Sequence, residues 1–105
     1  MEPNEQNQKK MPKIERMHAI VSGSVQGVGF RYFVMGHADV LQLQGWVRNT
    51  MRGEVEVVVE GARPDLEHFL NFLKSGPRSA YVTKVDENWQ SATGEFSDFQ
   101  VRPTA

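Results

Sequence analysis

Residues 23–31 have the sequence Gly23-Ser24-Val25-Gln26-Gly27-Val28-Gly29-Phe30-Arg31 and separate two segments of different pattern. Before them, Met17 to Ser22 form a predicted apolar strand, and Phe30 to Leu43 form an amphipathic helical segment after them. A glycine-rich bend between a strand and a helix start can direct several backbone N–H groups at one point, where the helix dipole adds partial positive charge. Together with the full charge of Arg31, this pattern suggests the capture of a small oxyanion such as a phosphoryl group.

The same stretch has a second interpretation, in which its glycines only supply the positive φ angles of a turn. It does not end in Gly-Lys-Ser/Thr, as a Walker A loop does, and it lacks the G-x-G-x-x-G spacing of a dinucleotide-binding loop. From the sequence of this loop alone, a simple turn and an anion-binding site remain two alternative interpretations.

The composition limits the classes of function. The 105 residues carry a formal net charge of −1, which argues against nucleic-acid binding because nucleic-acid-binding domains normally present a basic surface. The absence of cysteine excludes disulfides, thiolate metal sites and a cysteine nucleophile, and it is compatible with a reducing cytosol. No apolar run reaches transmembrane length. The composition therefore predicts a cytoplasmic protein without nucleic-acid or membrane partners. We also expect a monomer, although the composition does not bear on the oligomeric state.

The three histidines are poor candidates for metal binding. His18, His37 and His68 have no second ligand-type residue at the i, i+4 spacing that places two ligands on one helix face. We therefore expect neither a metal site nor another cofactor.

The order of predicted elements indicates the fold class. Residues 1–15 are polar and are expected to be a disordered leader, which places the folded domain at residues 16–105. The spacing of apolar residues then predicts strand, helix, strand, strand, helix, strand and a short terminal strand. Two split β-α-β units with right-handed crossovers have this order, so we predict an α+β, ferredoxin-like βαββαβ sandwich, an antiparallel sheet with two helices on one face. The first helix is expected to stop at Gly45 and the second at Gly76, and the later strands are predicted at Trp46–Thr50, Glu54–Glu60, Tyr81–Trp89 and Phe99–Val101.

The fold would bring Asn49 back toward the glycine-rich loop. The first helix descends about 20 Å at ~1.5 Å per residue, and the strand after Gly45 climbs at ~3.3 Å per residue, so Asn49 regains most of that height. A carboxamide near the start of the helix offers a donor and an acceptor, which holding a water in line with a phosphoryl group would require. Alternatively, Asn49 only starts the turn toward Gly53, a common role of asparagine.

At both places the sequence resembles the acylphosphatase family. Gly23 to Arg31 matches the family pattern G-x-V-Q-G-V-x-F-R. The sequence Gly45-Trp46-Val47-Arg48-Asn49, followed by Gly53 and Val55, matches G-[aromatic]-V-[basic]-N-x-x-x-G-x-V. Two long motifs in the family's order and spacing make this resemblance specific. It extends over roughly Arg16 to Arg102, leaves residues 103–105 without an assigned role, and implies the same ferredoxin-like fold.

The resemblance implies hydrolysis of the carboxyl-phosphate bond of small acyl phosphates without metal or cofactor, with inorganic phosphate as product and inhibitor. It implies that Arg31 binds the phosphate and that Asn49 orients the attacking water. The backbone amides implied to cradle the phosphate are those of Ser24, Val25, Gln26, Gly27, Val28, Gly29 and Phe30. Ser24 departs from the pattern, since many members carry a basic residue there, and Gly29 fills a variable site.

Two other classes of function compete with hydrolysis. One is a ferredoxin-like binding module without activity, either a small-ligand regulatory domain or an RNA-binding platform. An RNA platform needs aromatic and basic residues on its central strands, whereas Glu54-Val55-Glu56-Val57 supplies acidic ones. The other is an acylphosphatase-like domain that serves protein interaction, against which the intact pair Arg31 and Asn49 argues.

Overall fold

The computed structural model describes residues 13–105, which form five strands and two helices in the predicted order. The strands are β1 (Ile14–Ser24), β2 (Gln44–Asn49), β3 (Val55–Ala62), β4 (Tyr81–Ser91) and β5 (Phe99–Val101). The helices are α1 (Phe30–Val40) and α2 (Arg63–Ser75). Within this part of the chain, neither helix has the length and apolar character needed to cross a membrane.

The sheet has the strand order β4-β1-β3-β2-β5. The first four of these strands are antiparallel to their neighbours, as predicted, which gives two split β-α-β units. β5 instead runs parallel to β2, with Gly45 opposite Phe99, so the sheet as a whole is mixed. The reason is the path of the chain after β4. Thr93 lies against Glu60, which is opposite the first residue of β2, so β5 begins at that same end of the sheet.

The core lies between the sheet and the two helices, which pack on one face of it. β3 shows the predicted alternation, since Val55, Val57 and Val59 are fully buried. Burial of each such side chain contributes about 1.5–3 kcal/mol, so one strand supplies a large share of the stabilisation. The helices contribute an apolar stripe each, formed by Phe30, Val34 and Ala38 of α1 and by Leu66, Phe69, Leu70 and Leu73 of α2.

The first strand begins earlier than the sequence suggested. Ile14 pairs with Ala62, and Glu15 pairs with Gly61 on one side and Ser91 on the other. Residues 14 and 15 therefore belong to the sheet rather than to a leader, because the ladder hydrogen bonds of a central strand join backbone groups and do not require a run of apolar side chains. The rest of the predicted leader, residues 1–12, lies outside the described residues.

The end of the first helix also differs from the prediction. α1 ends at Val40, because Gln42 adopts a left-handed conformation (φ 55°) and the Leu43 N–H bonds to the Ala38 carbonyl at 2.8 Å. Gly45 is therefore not the helix stop. It lies in β2, where a Cβ would stand 1.9 Å from the Val58 carbonyl oxygen, so glycine is required there by the close approach of two strands.

Candidate active site

The loop between β1 and α1 is exposed in its middle and anchored in the core at both ends. Val25 is 1% exposed and Phe30 is 2% exposed, whereas Gly27 and Gly29 are open to solvent. Gly27 is left-handed with φ +73°, and Gly29 has φ +77° at the N-cap of α1. Two left-handed residues among the five from Val25 to Gly29 fold the backbone tightly between two buried side chains, a conformation that can bring successive N–H groups together around an anion.

The backbone N–H groups of this loop are without acceptors. From Val25 to Arg31, none of them donates a hydrogen bond to any of residues 13–105. The first turn of α1 carries no acidic side chain that would neutralise its positive end. Free N–H groups at the positive end of a helix dipole are a favourable place for an anion.

Arg31 is the second residue of α1 and is only partly buried. Its guanidinium forms no ion pair or hydrogen bond with the described part of the chain, in contrast to Arg16, Arg48 and Arg63, each of which has carboxylate partners. The charge of Arg31 is thus left available at the start of the helix, next to the free N–H groups.

Asn49 is the last residue of β2 and lies opposite Val55. Because side chains alternate along a strand, it shares the helix-facing side of the sheet with the fully buried Val47. Its Oδ1 atom is buried and has no hydrogen-bond partner among the described residues. A buried amide oxygen without a donor is uncommon, because it forgoes the hydrogen bond that water gave it in the unfolded chain.

The side chain of Gln26 brings the loop and the strand end together. Its Nε2 donates to the Thr50 carbonyl and to the Glu54 carbonyl, both at 2.8 Å. Thr50 directly follows Asn49, so the loop lies against the turn that Asn49 begins. On its other flank the loop accepts a hydrogen bond at the Val28 carbonyl from the Ser79 hydroxyl, at 3.2 Å.

The structure therefore gathers the residues singled out from the sequence at one end of the sheet. Ser24 still pairs with Tyr81 in the β1–β4 ladder, and Val25 to Arg31 follow as one continuous loop and helix start. Asn49 lies at the neighbouring strand end. Residues 13–105 contain no group of three His, Asp or Glu side chains placed to hold a metal ion.

Comparison with known proteins assigns the family. The model of the Acylphosphatase family matches residues 17–101, a range that includes the loop, Arg31 and Asn49. The chain belongs to the acylphosphatase family. An acylphosphatase of Moorella thermoacetica is 47% identical over 87 residues, which cover 83% of this chain and 92% of that protein.

Solved acylphosphatase structures share the fold. The crystal structure of acylphosphatase from Bacillus subtilis superposes with a TM-score of 0.81 at 36% identity, covering 84% of this chain and 98% of that one. The acylphosphatase from Coxiella burnetii gives 0.77 at 42% identity, covering 86% and 94%. These similarities confirm the ferredoxin-like α+β fold. They identify the chain as a hydrolase with acylphosphatase activity, in preference to a binding module.

Two contacts of the acylphosphatase site were missed by the sequence analysis. One is the pair of hydrogen bonds from the Gln26 side chain to the Thr50 and Glu54 carbonyls, which no short-range sequence pattern predicts. The other involves Ala105, whose N–H donates to the Asn49 carbonyl at 3.2 Å and whose carbonyl accepts from Met51 N–H at 3.0 Å. The parallel pairing of β5 with β2 carries residue 105 to this position. The contact of Ala105 could have been predicted only if the pairing of β5 with β2 had been known.

The face of the sheet opposite the helices carries a separate charged cluster. Glu56 accepts hydrogen bonds from His18 Nε2 at 2.7 Å and from Arg48 Nε at 2.8 Å. Burial opposes its ionisation, but these bonds outweigh the burial and hold the pKa of Glu56 below its ordinary value. Glu56 is therefore a paired carboxylate on the far side of the sheet from Asn49, and not an acid or base for the site.

Proposed function

We propose that this acylphosphatase holds the phosphoryl group of a small acyl phosphate between the loop N–H groups and Arg31, and directs a water at phosphorus from Asn49. The observation that carries the proposal is the set of unsatisfied groups at one end of the sheet. The loop N–H groups, the guanidinium of Arg31 and the buried Oδ1 of Asn49 all lack partners among residues 13–105. A phosphoryl group and one water supply the missing acceptors and the missing donor.

The backbone N–H groups from Ser24 to Phe30 bind the phosphoryl oxygens, and Arg31 adds a permanent positive charge. A guanidinium can contact two phosphoryl oxygens through its fork of N–H donors. Because the negative charge on these oxygens persists from the substrate to the transition state, Arg31 contributes both to binding and to the rate. Inorganic phosphate has the same oxygens and is expected to inhibit competitively.

Asn49 acts on the attacking water. Its Oδ1 accepts one water hydrogen, which turns an oxygen lone pair toward phosphorus. The water oxygen then forms a bond to phosphorus while the bond from phosphorus to the carboxylate oxygen breaks, and the electron pair leaves with the carboxylate. The second product is inorganic phosphate, and the proton lost by water passes to that phosphate or to solvent.

The chemistry requires neither a metal nor a strong general acid from the protein. A carboxylate is a good leaving group, so the remaining tasks are stabilisation of charge and alignment of water. The loop N–H groups and Arg31 provide the first, and Asn49 provides the second.

Hydrolysis of acetyl phosphate and benzoyl phosphate by the purified chain, measured with and without excess chelator, tests this proposal. We expect turnover of both compounds at rates that the chelator leaves unchanged. Loss of activity with chelator would contradict metal-independent hydrolysis, and phosphate inhibition that is not competitive would contradict a shared phosphoryl site. The cytoplasmic location and the monomeric state, without nucleic-acid or membrane partners, stay predictions from the sequence.

A further inference from the structure

We propose that Gln26 is a positioning residue, whose side-chain amide holds the phosphate loop in a fixed position relative to Asn49. This inference rests on the proposed function, since it assigns to one side chain the alignment of the two parts of that site. In the family pattern Gln26 is one of the loop residues, and its backbone N–H belongs with the others. Its side chain, in contrast, is engaged elsewhere.

The amide nitrogen of Gln26 uses both of its hydrogens on one turn. They go to the Thr50 and Glu54 carbonyls, each at 2.8 Å. The same two carbonyls also close the turn itself, because Thr50 N–H donates to Glu54 at 2.9 Å and Gly53 N–H donates to Thr50 at 3.1 Å. Gln26 therefore binds to the fixed frame of the turn and not to a mobile side chain.

The turn is also held from its other side. Ala105 pairs with the backbone of Asn49 and Met51, at 3.2 and 3.0 Å. Ala105 and the Gln26 side chain therefore both hydrogen-bond to residues 49–54, the strand end and turn that carry Asn49, in addition to the pairing of Asn49 with β3. Among the described residues, the two hydrogen bonds of Gln26 are the only side-chain bonds that join residues 24–31 to residues 49–55.

The alignment of the reaction depends on this link. The loop and Arg31 locate the phosphorus atom, whereas Asn49 locates the water, and these groups belong to different elements of the fold. A displacement of about 1 Å between reacting groups can cost on the order of 10²-fold in rate. The loop N–H groups do not depend on the link, so loss of the link should affect the rate more than phosphate binding.

The test uses the full chain with Gln26→Met, which keeps the length of the side chain and removes both donors. We expect kcat for benzoyl phosphate to fall by about 10-fold or more, with the inhibition constant of inorganic phosphate within about threefold of wild type. Gln90→Met is the matched control, because Gln90 is exposed and its amide bonds only to Asn88. Its kinetic constants should equal those of wild type. An unchanged kcat in Gln26→Met, or a phosphate inhibition constant that rises as much as kcat falls, would overturn the proposal.

A double mutant separates positioning from mere stabilisation of the fold. In Asn49→Ala the water is no longer directed, so adding Gln26→Met should lower kcat by less than about twofold further, a strong departure from additivity. Full additivity would overturn the role of Gln26. If Asn49→Ala alone keeps its kcat, the result contradicts the proposed function itself. If Asn49→Ala loses kcat and the double mutant is additive, only the role of Gln26 is contradicted.

Gln26→Glu provides an independent readout through pH. An ionised carboxylate donates no hydrogen bond and repels the two carbonyls, whereas a protonated carboxyl group regains one donor. The ratio of its kcat to that of wild type should therefore rise as the pH falls. A ratio that stays constant with pH in a folded protein would contradict the proposal.

Discussion

The two ends of the sheet differ in whether their polar side chains have partners within the described residues. At the end where β1 passes into α1, Arg31 has no carboxylate partner within residues 13–105, and the buried Oδ1 of Asn49 has no donor. At the other end, the carboxylate of Glu60 is only 4% exposed and fully engaged. It accepts from Arg16 Nε at 2.8 Å, from Thr93 N–H at 2.9 Å and from Gly94 N–H at 3.1 Å.

The difference supports placing the proposed phosphoryl site at the Asn49 end. A buried polar group without a partner costs about 1–3 kcal/mol, so a protein keeps one only where something else supplies the partner. At the Glu60 end the protein supplies every partner itself, and the result is stability. At the Asn49 end the missing partners are those that, in the proposed function, a phosphoryl group and a water supply.

The largest effect is expected from Arg31→Ala. Loss of a guanidinium that contacts a transferring phosphoryl group costs on the order of 10³ or more in rate, so kcat/KM should fall by about that factor. The inhibition constant of phosphate should rise as well. Arg63→Ala is the control at the opposite end, where Arg63 pairs with Glu15 and Glu67. A control that loses as much activity as Arg31→Ala would contradict the distinction between the ends.

Asn49→Ala should separate the rate from binding. We expect kcat to fall by about 10²–10³, the range for removal of one preorganised polar group, with phosphate inhibition close to wild type. Because Oδ1 has no hydrogen-bond partner among residues 13–105, the melting temperature should be unchanged or slightly higher. Steady-state kinetics and thermal unfolding check both points. A large drop in melting temperature would show that Asn49 serves mainly as a turn residue.

Glu60→Gln should affect stability and spare activity. Removing the charge weakens the hydrogen bonds that the Glu60 carboxylate accepts, so we expect a loss of about 2 kcal/mol in the free energy of unfolding at pH 7, with kcat unchanged. Burial opposes ionisation, but the bonds from Thr93, Arg16 and Gly94 outweigh it and hold the pKa of Glu60 below its ordinary value.

The sign of the pH dependence follows from that lowered pKa. The contribution of Glu60 is fully present above the unfolded pKa of about 4.3 and is lost as the pH falls through the folded pKa. Urea unfolding at pH 7 and at pH 3.5 should therefore show a smaller difference between wild type and Glu60→Gln in acid. A difference that grows in acid would be the opposite of this expectation.

The smallest effect is expected from deletion of Met1 to Pro12. The polar composition of this segment predicts that it adds little to the fold, and β1 begins at Ile14, at the end of the sheet away from the site. Activity should be unchanged and the free energy of unfolding should change by less than ~1 kcal/mol. A larger loss of stability would mean that the segment packs on the domain.

The sequence predicted the elements that have a local signature. The glycine-rich stretch and the alternation of Val55, Val57 and Val59 follow from patterns within a few residues. The return of Asn49 to the loop follows from the lengths of the helix and the strand that precede it. The start of β1 at Ile14 was missed because the polar Glu15 and Arg16 interrupt the apolar pattern, whereas backbone pairing with β3 and β4 holds this part of the strand. The hydrogen bonds of the Gln26 side chain were missed for a different reason. Their acceptors, Thr50 and Glu54, follow Gln26 by 24 and 28 positions in the sequence, and only the assembled sheet brings them close to it.

The short β5 strand has a consequence for solubility. Without it, β2 would be an outer strand, and a strand with a free edge offers a row of unpaired N–H and C=O groups to other chains. Only three residues of β5 now stand at that edge. The opposite edge is β4, a largely exposed strand that carries Lys84, Asp86 and Glu87. Charged side chains on one side and a very short strand on the other thus disfavour edge-to-edge aggregation.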